Sequence, residues 1–166
     1  MSVNEKKAQG WGFDLVVASI IFSFAIIFFY IFALNYSTGG EETFNNLVYE
    51  GQLVAESILS EGYPADWNNN SVVRIGILSE NKINQTKLER FYNMTLTSEY
   101  NRTKVLFNMA HDYNISFSFP VIIPGVPGGS VYSIGMTKPA PENLIRVTRF
   151  SIYNNKPITL DIDVSA

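Results

Sequence analysis

Residues 15–34 read LVVASIIFSFAIIFFYIFAL, a run without a charge whose only polar side chains are Ser19, Ser23 and Tyr30. At about 1.5 Å per residue, a helix of this length spans roughly 30 Å, the thickness of a bilayer hydrocarbon core. Two fates fit such a run, a cleaved secretory signal or a retained anchor. A secretory core is usually about 7 to 15 residues long and ends at a small-residue cleavage site. This run is longer and leaves through Leu34, Asn35 and Tyr36, which favours retention. Lys6 and Lys7 precede it while Glu41 and Glu42 follow it. The positive-inside tendency then keeps the N-terminus cytoplasmic and puts residues from 35 onward outside.

Beyond the run lie Asn-x-Ser/Thr triplets at Asn35, Asn69, Asn84, Asn93, Asn101 and Asn114, all candidate N-glycosylation sites. With 16 asparagines, chance alone would give roughly two such triplets. Cysteine is absent, so the outer part is not stapled by disulfides and depends on an ordinary core or on neighbours. Its roughly 130 residues suit one core better than two. Removing Lys6 and Lys7 from the 12 basic residues, and Glu5 and Asp14 from the 15 acidic ones, leaves a mildly acidic domain without a basic run. That balance argues against nucleic acid as a partner.

Ser37, Thr38, Gly39 and Gly40 form an expected break, since glycine costs a helix about 1 kcal/mol relative to alanine. Helical spacing resumes at Phe44, Leu47, Val48, Gly51, Ala55, Ile58 and Leu59, with Glu50, Gln52 and Glu56 on another face. Residues 41–60 thus read as an amphipathic helix, stopped by Gly62 and Pro64. Residues 71–78 (SVVRIGIL) read as a strand, and residues 86–92 as a short helix. A second short helix starts at Ser98, with Tyr100, Thr103, Leu106, Phe107 and Ala110 on one stripe.

After His111 and Asp112 the period becomes two. Tyr113, Ile115, Phe117 and Phe119 face one way, and Asn114, Ser116 and Ser118 face solvent. Residues 130–134 form a short strand, and residues 137–141 a connecting loop. Residues 144–153 turn through Asn154 and Asn155 into residues 157–164 as a hairpin. Along its first strand Ile145 and Val147 fall on one parity, Phe150 and Ile152 on the other, which calls for a bulge near Arg149 or burial on both faces. The expected fold is α+β: an N-terminal transmembrane helix, continued by an amphipathic helix, packed on a mainly antiparallel β-sheet domain. A β-sandwich behind a stalk helix is the alternative.

Little in the sequence carries chemistry. Without cysteine and with His111 as the sole histidine, a nucleophile–base pair is hard to assemble, and metal-ligand spacing is missing. No enzyme activity, cofactor or metal is expected. His111 reads as part of a helix cap or turn. Asp161 and Asp163 read as a solvated strand face rather than a cation site, and Trp67 as a plug closing the core rather than a recognition residue. The apolar residues of PVIIPGVPGG (120–129) either cap the sheet or meet a partner.

The string KKAQGWGFD (6–14), placed directly before the apolar run, resembles the class III prepilin-type signal of archaeal type IV pilin-like proteins. The resemblance implies processing by a prepilin peptidase that reads Lys6, Lys7, Ala8 and Gln9 and cuts between Ala8 and Gln9. Ala8 stands where glycine is frequent, and a cut after Gln9 would bring Asp14 to the family's usual acidic position. In that family such a carboxylate pairs with the N-terminal amine of a neighbouring subunit; the plainer role for Asp14 is an N-cap of the anchor helix. Gly62-Tyr63-Pro64-Ala65-Asp66-Trp67, Ile75-Gly76-Ile77, Lys87-Leu88, Tyr100, Leu106 and the Tyr113/Ile115 strand are similar to the recurrent pattern of small archaeal surface proteins with this leader.

The implied organisation is a leader (1–9), a transmembrane helix (10–36) and an extracytoplasmic domain (37–166). The implied partners are membrane lipid, the prepilin peptidase and like or related pilin subunits meeting through the N-terminal helix. The implied function is that of a membrane-anchored, cell-surface structural protein: a major, minor or pseudopilin subunit of a type IV pilus-type filament or envelope assembly, with adhesion as one use. A single-pass surface binding module that forms no filament is the alternative.

Overall fold

A computed structural model describes residues 3–35, 39–96, 99–136 and 138–166, with side chains for all of these except 3–11, 35 and 39. It divides into two units, Met1–Gly40 and Glu41–Ala166.

Helix α1 (Val3–Asn35) runs without a break through the apolar run and takes in residues 3–9 of the expected leader. Within it, Gly12–Leu34 is long and apolar enough to cross a membrane, and none of it is buried. Ser23 satisfies its hydroxyl inside the helix by donating to the Ser19 carbonyl at 2.8 Å. Asp14 lies well inside α1 rather than at its start, which rules out the N-cap expected for it.

Helix α2 (Gly39–Ile58) starts at the glycine pair, earlier than the expected residue 41. Ser37 and Thr38, the rest of the expected break, lie outside the described residues, as does Tyr36, the expected last residue of the transmembrane helix. Leu47, Val54, Ala55 and Ile58 are completely buried, at the three- and four-residue steps of one helical face. Glu50 departs from its expected place on the polar face, since it is only 8% exposed.

The expected strand at 71–78 does not form. The backbone there is held by a single antiparallel bridge, Tyr63 to Arg74, and by bonds from Ile77 N to Ile58 O and Leu78 N to Ser60 O. Val72, Ile75, Ile77 and Leu78 are buried without a continuous ladder, while Val73 is exposed. Strands β1 (Leu78–Ser79) and β2 (Lys82–Ile83) make a minimal hairpin, turned by Glu80 and Asn81, both at positive φ. Helix α3 (Gln85–Thr95) follows, its N-terminus capped by the Asn84 side chain. Helix α4 (Tyr100–Phe107) ends on Asn108 in the left-handed region, so Ala110 falls beyond it and is exposed instead of joining the stripe. Ser98, its expected start, lies outside the described residues.

Strands β3 (Asp112–Ile122), β4 (Ser130–Gly135), β5 (Leu144–Tyr153) and β6 (Lys156–Ser165) form an antiparallel sheet in the order β4-β3-β6-β5. Its buried face carries Tyr113, Ile115, Phe117, Ile134, Leu160, Ile162 and Val164. Asn154 and Asn155 both sit at positive φ, the backbone a two-residue hairpin turn needs. The β5–β6 register runs unbroken from Leu144–Ser165 to Tyr153–Lys156, so the expected bulge at Arg149 is absent. Nor is β5 buried on both faces, because Phe150 and Ile152 remain exposed. The register shift lies elsewhere, between β3 and β4 after Ser116.

Candidate functional site

The N-terminal features map onto α1. Lys6, Lys7, Ala8 and Gln9 lie within the helix, with side chains outside the described residues, and Asp14 is exposed on it.

The candidate glycosylation asparagines separate by burial. Asn93 on α3 and Asn101 on α4 are exposed, while Asn69 and Asn84 are half-buried. Asn84 keeps its Oδ1 occupied by the Lys87 N–H at 3.1 Å. Asn114 contradicts the expectation of a solvent-facing position. It is 8% exposed, and its Nδ2 donates to Ser116 Oγ at 3.1 Å. Asn114 lines a small pocket with Asp163 and Ser165, with Leu144 at the start of β5, and with Met136, Lys138 and Pro141 of the β4–β5 connection. Asn35 lies at the end of α1, its side chain outside the described residues.

Glu50 gathers the region that carries the one histidine. Its carboxylate accepts from Ala110 N at 2.9 Å and His111 N at 3.2 Å, and its Oε2 lies 3.0 Å from His111 Nδ1. A buried carboxylate thus closes the turn after α4, which makes His111 part of a structural clasp. Beside it, Tyr113 OH and Thr103 Oγ1 lie 2.6 Å apart, and Tyr113 N donates to Tyr100 OH at 3.1 Å. Burial pushes the Tyr100 phenol up to about 12 and raises that of Tyr113 as well. Asp112 receives Lys104 Nζ at 3.0 Å.

Lys87 is the other buried charge, its ammonium donating to Glu61 O at 2.9 Å and Leu78 O at 2.7 Å. Burial lowers its pKa, with opposing pull from Glu61. The burial of Lys87 and of Glu50 is not what the sequence reading expected, though each carried a signal. Lys87, Phe91 and Met94 share one helical stripe, as do Leu47, Glu50 and Val54.

Trp67 is completely buried and its indole N–H donates to Gly76 O at 2.8 Å, the plug expected of it. The 120–129 stretch divides: Val121 and Ile123 are buried and Ile122 is exposed. Asp163 is held by Arg146 through Nε at 2.6 Å and Nη2 at 2.8 Å, and Asp161 accepts from Thr148 Oγ1 at 2.7 Å. Cross-strand partners therefore occupy the pair once weighed as a cation site. Among the described residues, no group of three or more His, Asp or Glu side chains is placed to hold a metal. A surface groove of about 230 Å³ is lined by Leu53, Glu56, Ser57, Arg74, Leu106 and Phe107, and the Ser57 hydroxyl there donates to the Ile75 carbonyl at 2.7 Å.

Comparison with protein-family models, with curated proteins and with solved structures returns no match for the chain.

Proposed function

We propose that the chain is a membrane-anchored surface protein of the archaeal type IV pilin-like kind, in which α1 is the retained anchor and residues 41–166 are displayed outside. The observation that carries this reading is the exposed apolar helix Gly12–Leu34, none of whose residues belongs to the core of residues 41–166. So much exposed apolar surface is stable only in lipid or against other apolar helices, and the two environments correspond to an anchored subunit and an assembled one. In this reading α2 covers the buried face of the sheet. Gly51 supports that role, since a Cβ there would stand 3.0 Å from Val147 Cγ2, so its missing side chain permits close approach. The protein is structural and not an enzyme; the clasps at Glu50, Tyr113 and Trp67 stiffen the displayed domain.

Protease treatment of intact cells tests the arrangement. Digestion of the outer domain, leaving a membrane-embedded α1 fragment, is the expected outcome, and full protection of the domain on intact cells contradicts it. Electron microscopy of sheared surface material then separates a filament subunit, which leaves with the filaments, from a single-pass binding module, which stays with the membrane.

A further inference from the structure

Strand β5 ends the sheet. It pairs with β6 on one side, and its other edge meets no strand of the sheet. The groups on that free edge follow from its partner. Pro157, opposite Ile152, has no N–H to give, and Thr159, opposite Phe150, sends its N–H away to Ser118 Oγ at 3.1 Å. Ile152 and Phe150 therefore belong to the non-hydrogen-bonded pairs, and by alternation so do Thr148, Arg146 and Leu144. The N–H and C=O groups of these residues point outward along the free edge. The Thr148 carbonyl already accepts a hydrogen bond there, from Arg149 Nη1 at 3.2 Å. The β1–β2 hairpin packs near β5 without joining its ladder, and at the turn Lys82 Nζ donates to Asn155 Oδ1 at 3.3 Å.

The side chains of these same residues form a pattern that matches its own reverse. Leu144 is 51% exposed, Phe150 77% and Ile152 40%, and no acidic residue lies on the strand. Antiparallel pairing of β5 with itself about Thr148 sets Leu144 opposite Ile152 and Arg146 opposite Phe150, with Thr148 opposite Thr148. Apolar meets apolar, and a guanidinium already fixed by Asp163 meets an aromatic ring. A register one residue further along would set Arg149 against Arg149. The Thr148-centred register avoids that pairing and engages every outward group from 144 to 152.

We propose that β5 is a homotypic docking edge, pairing antiparallel about Thr148 with β5 of a second copy of this chain to fuse two sheets into one. The contact is isologous and closes at two copies. It does not depend on the pilin-like reading, since it needs neither leader processing nor a filament.

The cysteine-free chain allows a direct test by cross-linking the full-length protein in detergent micelles. Hydrogen-bonded antiparallel partners lie about 5.5 Å apart at Cα, within the span of a disulfide. Thr148→Cys should yield a covalent dimer on mild oxidation. Arg146→Cys mixed with Phe150→Cys should also yield one, whereas neither of these variants alone should. Phe150→Arg, which sets like charges opposite each other at both ends of the contact, should weaken the native dimer about ten-fold or more. The proposal is overturned if the Thr148→Cys and mixed-pair samples, shown folded by circular dichroism, stay monomeric. A dimer equally strong in Phe150→Arg, or an open series of larger species joined through β5, overturns it as well.

Discussion

The indole N–H of Trp67 donates to the carbonyl of Gly76 at 2.8 Å, and the backbone around this bond leaves no room for a side chain at residue 76. A Cβ on Gly76 would stand 2.3 Å from Gly62 N and 2.4 Å from Ser60 O, both backbone atoms. Gly62 itself sits at φ +75°, where a Cβ would meet the Trp67 ring. Two glycines and one tryptophan thus join the end of α2 to residues 71–78. Trp67→Ala should destabilise the outer domain by about 3–5 kcal/mol, the range for large aromatic truncations in a core. Gly76→Ala should cost about 3 kcal/mol, since the atoms it meets are backbone and cannot turn aside. Urea unfolding of the full chain in micelles, followed by tryptophan fluorescence for the glycine variant, measures both.

The paired phenols of Tyr100 and Tyr113 set an alkaline limit on stability. Burial raises both pKa values above the ordinary 10.0, that of Tyr100 to about 12. Below pH 10 both phenols are protonated whether the chain is folded or not, and their contribution is fully present. Between pH 10 and 12 the unfolded chain sheds these protons first, so stability falls as pH rises through that window. Tyr113→Phe should flatten the fall, and at pH 7 it should cost about 1–2 kcal/mol because Thr103 loses its hydroxyl partner. Thermal melts across pH 8–12 provide the comparison.

Glu50 holds the turn after α4 through two backbone amides. Replacing it by alanine should cost about 1–3 kcal/mol, and glutamine, which keeps one acceptor oxygen, about half as much. Hydrogen exchange localises the effect: the Ala110 and His111 amides should lose protection while those of β6 keep theirs.

Burial separates the glycosylation candidates. Glycopeptide mass spectrometry of the native protein should find Asn114 unmodified, because its side chain is buried, and glycans within residues 69–114 should sit at the more open Asn69, Asn84, Asn93 or Asn101. A glycan on Asn114 would show that this burial is relieved or arises after modification.

Much of this architecture was legible from local pattern. The β5–β6 hairpin follows from alternation on either side of Asn154 and Asn155, and α1 from an unbroken apolar run. Legibility failed where tertiary contacts outrank local preference. Val72, Ile75 and Ile77 look like a strand, yet their segment finds its partners in a helix end and a tight turn, because only a residue without Cβ fits at 76. Asn114 has the parity of a solvent-facing residue, yet it is buried in a pocket lined by residues from the β4–β5 connection and from β6. Phe150 and Ile152 called for a bulge because they break the parity of Ile145 and Val147, yet the β5–β6 register is unbroken and both side chains stand exposed on the sheet's other face. The candidate sites were less legible. Glu50 read as part of a polar helix face and Lys87 only as part of a family-like pattern, and their roles depend on backbone groups brought to them by distant turns.

The most direct test of the central claim is the mass of the mature N-terminal peptide from membranes of the native host. A processed pilin-like protein predicts a chain beginning at Gln9, or at Gly10 if the cut follows Gln9, with the apolar residues 15–34 still attached. A mature protein that begins at Met1 or Ser2, or one that begins beyond residue 34, would contradict it.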